Sequence, residues 1–232
     1  IEAIYVFPLP TDAAVNHMTM IIDDRLIEGT IKEKEEAKRV YEQAKKDGKR
    51  ATLTEQERPN IFTNSVSNIM PGDTIIVRLE YVEDLKYENG KFSLRFPMVV
   101  APRYIHGSKV SGYSGTGWSF DTDIVSDASR ITPPVSPKGM RTGNTILIDA
   151  YIDAGIEIDE IISSHEIHKK RNGRNAYSVK LKRDDYIPNK DFVLEYTIKK
   201  GKEPQAALFV NSITEDDEIN GLGTWTVNSE GY

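Results

Sequence analysis

His165 and His168 stand three residues apart in the stretch SSHEIH. On a helix that spacing puts both imidazoles on one face, where they can ligate a divalent metal. The surrounding run EIDEIISSHEIHKKRNG reads instead as a strand leading into a hairpin, and on a strand an odd spacing sends the two rings to opposite faces. No metal is expected there. In the acidic tail, Asp216, Glu218 and Asn220, followed by Gly221, imitate the first half of a calcium loop. The twelfth position from Asp216 is Val227, where calcium needs a bidentate glutamate, and no helical pattern flanks it. A solvated acidic loop is the expected state, with these three residues as the alternative metal set. The stretch GYSGTG, Gly112–Gly117, is not a nucleophile elbow, because Gly115 follows Ser114 directly. It is not a phosphate loop either, since no Gly-Lys-Ser/Thr closes it. Adjacent acids at Asp23-Asp24, Asp184-Asp185 and Asp216-Asp217 do not by themselves set two carboxyls about 5–10 Å apart across a cleft, as glycoside hydrolysis requires. No catalytic residue and no cofactor are expected.

Residues suited to recognition are easier to find. ERPNIF offers Glu57, Arg58, Pro59 and Phe62, and arginine and aromatic side chains concentrate binding energy. Against that, Arg58 can pair locally and Phe62 can pack beneath a helix, as most aromatics in alternating strands do. Tyr113 and Trp118, in the Gly/Ser-rich stretch, can stack on a ligand such as a sugar or anchor their own loop. The interaction candidates are therefore Arg58, Pro59, Phe62, Tyr113 and Trp118.

Composition narrows the partners. The 232 residues carry a net charge of −6, and a mildly acidic chain lacks the concentrated basic surface of a nucleic-acid binder. No apolar run reaches the roughly 20 residues that cross a bilayer, and the chain opens on IEAIYVFPLP with no leader pattern. There is no cysteine, which excludes disulfides and thiolate chemistry.

Strand signals dominate the elements that must position these residues. Ile75, Val77, Leu79 and Tyr81 alternate with Arg78 and Glu80, and Pro71-Gly72 fits a type II turn before them, so residues 61–69 and 74–82 read as a hairpin. Asn89-Gly90 marks a second hairpin and Asn172-Gly173 a third. Further strands are expected at 3–7, 18–22, 145–152, 157–162 and 192–198. One helix interrupts them, over about Ile31–Asp47. Thr30 and Glu33 form a capping-box pair, Ala37, Val40, Tyr41 and Ala44 make one apolar stripe, and Gly48 suits a left-handed cap. Glu35–Arg39 and Glu42–Lys46 are spaced as i,i+4 ion pairs. The stripe is narrow, so the helix should lie on the surface of a sheet. Residues 105–143 read as an irregular Gly/Ser/Pro-rich connection, with room for one strand near 118–124. The expected fold class is mainly β: an antiparallel β-sandwich-like architecture with one surface α-helix.

The segments EAIYVFPLP, IKEKEEAKRVYEQAKKDGKRATL, EQERPNIFTNSVSNIMPGD and FPMVVAPRY, in that order, resemble the VIT domain, the vault protein and inter-alpha-trypsin inhibitor heavy-chain domain. The resemblance covers about residues 1–104. Residues 144–232, with SSHEI, NKDFVLEY and PQAALF, look like the β-rich segment that links such domains to a von Willebrand factor A domain. One or two strands that usually precede EAIYVFPLP are missing, which would open a sheet edge to a strand from a second copy. The nearest approach to the A-domain metal motif D-x-S-x-S is Asp127-Ala128-Ser129-Arg130-Ile131, which lacks the second serine. The heavy-chain sequence that becomes esterified to glycosaminoglycan is also absent. The resemblance implies a non-catalytic interaction or scaffold module of a bacterial-type, secreted or surface-associated protein, partnered by another protein or by an A domain of its parent. The alternative is a metal-binding, carbohydrate-binding or hydrolytic domain built on residues 103–143 and the acidic tail.

Overall fold

A computed structural model describes residues 1–22, 25–100, 104–115, 117–133, 135, 137, 140, 143–183 and 186–199. In chain order the elements are β1 (Ala3–Pro8), β2 (Ala14–Ile22), β3 (Arg25–Glu28), α1 (Lys34–Lys46), β4 (Thr52–Arg58), β5 (Ile61–Val66), β6 (Ile75–Val82), β7 (Lys86–Glu88), β8 (Lys91–Phe96), α2 (Ala128–Ile131), β9 (Asp149–Asp153), β10 (Ile158–Ser163), β11 (Ile167–Arg171), β12 (Ala176–Leu181) and β13 (Phe192–Ile198). Among the described residues the strands form four antiparallel sheets, ordered β1-β5-β4, β3-β2-β6, β10-β13-β8-β7 and β11-β12-β9. The chain is mainly β, as its alternation predicts, with a second, one-turn helix beside the expected one.

The first two sheets share a core of Met20, Ile22 and Val66, flanked by Ile69, Ile75 and Val77. The one buried amide on that side, Asn64, is satisfied: its Nδ2 donates to Thr52 Oγ1 at 2.9 Å and Thr54 Oγ1 at 2.8 Å. The other two sheets close on a larger core in which Ile152 of β9, Ile158 and Ile161 of β10, Val179 and Leu181 of β12, and Phe192 and Leu194 of β13 meet. Strands β7 and β8 belong to this second core, because β8 pairs along β13 from Phe96↔Phe192 to Phe92↔Tyr196.

The 61–69/74–82 hairpin does not form. Strand β5 is hydrogen-bonded on both sides, to β1 and to β4, and has no free edge for β6, which pairs with β2. The turn between them is nevertheless the type II turn expected, with Gly72 at φ +86° and the Asp73 amide donating to the Met70 carbonyl at 3.1 Å. Strand β4 lies in a stretch to which the sequence pattern assigns no element. Asn89 (φ +53°) and Gly90 (φ +84°) both take the left-handed region that the β7–β8 hairpin needs. The helix begins later than Thr30: Glu33 is the N-cap, and its carboxylate accepts the Glu36 amide at 3.2 Å. The ion pair at its start is Lys32–Glu36, at 2.6 Å. Tyr41, from the predicted stripe, is buried, while Val40 is exposed.

His165 lies in the bend before β11, and His168 is exposed on that strand, so the two do not share a helical face. The buried His165 ring sits against Tyr186 and Phe192, with Nδ1 2.9 Å from Ser164 Oγ and no partner at Nε2 among the described residues. Burial first, and then the Lys190 ammonium, push its pKa down. The folded state therefore favours the neutral ring, whereas the unfolded chain binds a proton near pH 6.5. The melting temperature should fall as pH drops from 7 to 5, and His165→Leu should flatten that part of the profile in thermal melts followed by circular dichroism.

Candidate functional site

Strand β4 carries Leu53, Glu55 and Glu57 on alternate positions, and the cross-strand register aligns Leu53 with Ser65 and Ile4, and Glu55 with Thr63 and Val6. That face of the β1-β5-β4 sheet is covered from one side by α1. The Tyr41 hydroxyl donates to Glu2 Oε1 at 2.8 Å, and Lys45 Nζ reaches Glu2 Oε2 at 2.8 Å.

From the other side comes the 104–133 segment, fixed by two arginines. Arg58 forks on Asp127, Nη2–Oδ1 at 2.7 Å and Nη1–Oδ2 at 2.9 Å. Arg130, from α2, reaches back to Glu55 Oε2 at 2.7 Å and to Glu57 Oε1 through Nε at 3.0 Å, with a closer contact from Nη2. Thr63 Oγ1 also donates to Glu57, at 2.9 Å. Burial alone would raise the Glu57 carboxyl, but the hydrogen bonds from Arg130 and Thr63 outweigh it and hold it below the usual carboxylate range. Asp127 is held low chiefly by the Arg58 fork.

Behind the arginines, the Gly/Ser-rich stretch is packed rather than open. Asp121 accepts the backbone amides of Ser114 and Ser129, and the Gly115 amide donates to Ser129 Oγ at 2.7 Å. A Cβ at Gly115 would stand 2.6 Å from the Ser129 carbonyl oxygen, and one at Gly117 would run into the carbonyl oxygens of Thr132 and Ser129. Glycine is needed at both positions because α2 backbone lies against them. Asp127 and Ser129, the two that match the A-domain metal motif, are thus engaged in holding this segment together.

Each interaction candidate has a definite place. Arg58 is in the fork with Asp127, Pro59 is exposed at the β4–β5 turn, and Phe62 is buried and stacked on Phe7 at 5.8 Å. Tyr113 (58% exposed) and Trp118 (45%) face solvent. Tyr113 lies against Phe120 (37% exposed), 5.2 Å between ring centres, and Lys109 Nζ sits 3.4 Å over the Phe120 ring. Ser119 and Asp121 are buried, whereas Trp118 and Phe120, which alternate with them, are exposed. Phe120 and Arg130 were not singled out from sequence. Asp216, Glu218 and Asn220 lie outside the described residues. Among those described, no group of three or more histidine or acidic side chains is placed to hold a metal. Among the described residues no helix is long and apolar enough to cross a membrane.

Between α1, the sheet face and the 114–133 segment runs a groove of about 390 Å³. Ile4, Val6 and Leu53 supply apolar lining, and Glu55, Ser65 and Arg130 supply polar groups.

Comparison with known proteins finds relatives of this chain. Residues 1–81 match the family described as Vault protein inter-alpha-trypsin domain. The chain is similar to the protein mono-ADP-ribosyltransferase PARP4 of Homo sapiens, 30% identical over 177 residues, which is 76% of this chain and 9% of that protein. It is similar to the von Willebrand factor A domain-containing protein 5A of Rattus norvegicus, 35% identical over 107 residues, covering 45% of this chain and 13% of the relative. The inter-alpha-trypsin inhibitor heavy chain H3 of Homo sapiens is 38% identical over 88 residues, covering 37% of this chain and 10% of the relative. The chain thus corresponds to a small fraction of each relative's length. These relatives are mammalian and lend the bacterial assignment no support. The match, over a stretch that holds the β1-β5-β4 and β3-β2-β6 sheets and the helix α1 packed on β4, makes residues 1–81 a VIT domain.

Proposed function

We propose that this chain is a non-catalytic interaction module, and that its contact face is the aromatic surface of Tyr113, Trp118 and Phe120. The observation that carries this reading is a set of solvent-facing rings on a segment tied down by the Arg58–Asp127 and Arg130–Glu55/Glu57 contacts. Rigid, exposed aromatic groups are what protein interfaces use as anchors, because they bury much area and lose little entropy. The partner is another protein or a von Willebrand A domain of the same parent polypeptide. The name of the rat relative, which joins such a domain to a stretch similar to this one, supports the second choice. The resemblance to inter-alpha-trypsin inhibitor heavy chains supports a secreted or surface-associated parent. We read residues 1–82 and 86–199 as two β units, with the 104–133 segment reaching from the second unit onto the first.

Trp118→Ala in the full-length parent should weaken partner binding by about 2 kcal/mol, roughly thirtyfold. Because Trp118 is half exposed, the thermal melt of the variant should stay close to wild type. Surface plasmon resonance with the purified partner measures the first and calorimetry the second. Unchanged affinity would remove Trp118 from the interface. A second copy would join by strand addition at β1, an edge strand with Ile4 and Tyr5 exposed. A strictly monomeric chain in light scattering at high concentration discards that mode.

A further inference from the structure

We propose that the groove between α1, the β1-β5-β4 face and the 114–133 segment is a binding site for an ammonium or guanidinium group on an alkyl stem, with the cation seated on Glu55. Glu55 lines the groove at 7% exposure. Its Oε2 is engaged by Arg130, but Oε1 is buried with no hydrogen-bond partner among the described residues. A buried carboxylate oxygen left without a donor is costly, and a ligand that brings a donor recovers that cost.

The charge balance says which donor. Two buried carboxylates, Glu55 and Glu57, share the one guanidinium of Arg130. Lys34, whose side chain is half exposed, adds a contact to Glu57 alone, at 3.4 Å. Glu55 thus shares its one cation with Glu57, which Lys34 also contacts, while the other charged side chains lining the groove, Glu2, Glu42, Lys38 and Lys45, balance to zero, so the weaker compensation at Glu55 favours a cation over a neutral amide. Ile4, Val6 and Leu53 line the path to Glu55 and suit a methylene stem whose charged end reaches a polar group. The volume of about 390 Å³ falls within the range of small-ligand sites and admits one such group.

An arginine or lysine side chain of a polypeptide and a free polyamine share this chemistry. The test titrates the ¹⁵N-labelled chain with N-acetyl-arginine amide, N-acetyl-lysine amide and spermidine, with N-acetyl-glutamine amide as the neutral control. Saturable amide shifts at Leu53, Glu55 and Ser65 are expected for the cations, with dissociation constants on the order of 1 mM and at least about tenfold weaker binding in Glu55→Gln. Ser65→Phe, which fills the groove without touching an ion pair, should abolish the shifts while leaving spectral dispersion intact, and so covers the case where Glu55→Gln fails to fold. Tighter binding of the amino-acid amides supports a polypeptide source, and tighter binding of spermidine a free polyamine. No saturable shift, an equal response to the glutamine amide, or unchanged binding in Ser65→Phe would overturn the proposal. The aromatic face plays no part in this titration, so its outcome is separate from that of the Trp118 experiment.

Discussion

Arg130→Ala should destabilise the chain by about 3 kcal/mol, the low end of the cost of breaking a buried ion pair from one side. The low end applies because the Arg130 side chain keeps 21% of its surface in water. The loss is large because Glu55 and Glu57, with side chains 6% and 3% exposed, would remain charged and buried with no guanidinium between them. The same change should loosen the 104–133 segment, which would then be held to β4 by the Arg58–Asp127 fork, raising amide exchange at Ser114, Gly115 and Ser129. The triple variant Arg130→Met, Glu55→Leu, Glu57→Leu should recover much of the stability, since removing all the charges leaves none uncompensated. Acid should imitate the single substitution. The folded Glu57 and Asp127 carboxyls are depressed, so their contribution is present above their unfolded pKa values, near 4, and is lost as pH falls through the lower folded values. Urea unfolding of the variants, with amide exchange measured at pH 7 and at pH 3.5, checks both statements.

Phe192→Ala should cost about 3–5 kcal/mol, the usual range for deleting a fully buried phenyl ring. Phe192 is 0% exposed, opens β13 and pairs with Phe96 of β8. Its ring also lies 5.7 Å from that of His165. The cavity would open where both sheets of the second core meet, and neighbours on paired strands cannot collapse far into it. Chemical denaturation followed at two probes, Trp118 fluorescence in a Trp225→Phe background and far-ultraviolet circular dichroism, reads the loss. If the two β units unfold independently, the transitions separate in Phe192→Ala, with the second unit melting first.

Elements with a strong local period were legible in the sequence. The α1 stripe, the Asn89-Gly90 turn and β13 were found because 3.6-residue spacing, positive-φ turn chemistry and alternation are written into neighbouring residues. Pairing was less legible. Residues 61–69 and 74–82 read as a hairpin because they are adjacent and flank a genuine type II turn, but nothing local states that β1 and β4 already occupy both edges of β5. Strand β4, TLTEQER, was overlooked because its buried face holds two glutamates, and polar residues read as loop. Those glutamates were also the one available signal for Arg130. An alternation of Leu53, Glu55 and Glu57 against a buried sheet demands a cation, and the sequence supplies it 75 residues away from Glu55, in a stretch without periodicity.

If Tyr113, Trp118 and Phe120 form the working face, a photo-crosslinking benzoyl-phenylalanine at Phe120 of the full-length parent should capture one protein surface, in the same chain or in another. That crosslink should disappear in Trp118→Ala, and the same probe at exposed Lys49, which follows the C-terminus of α1, should not produce it. Equal capture from both positions, or a Phe120 crosslink indifferent to the loss of Trp118, would contradict the assignment of this face.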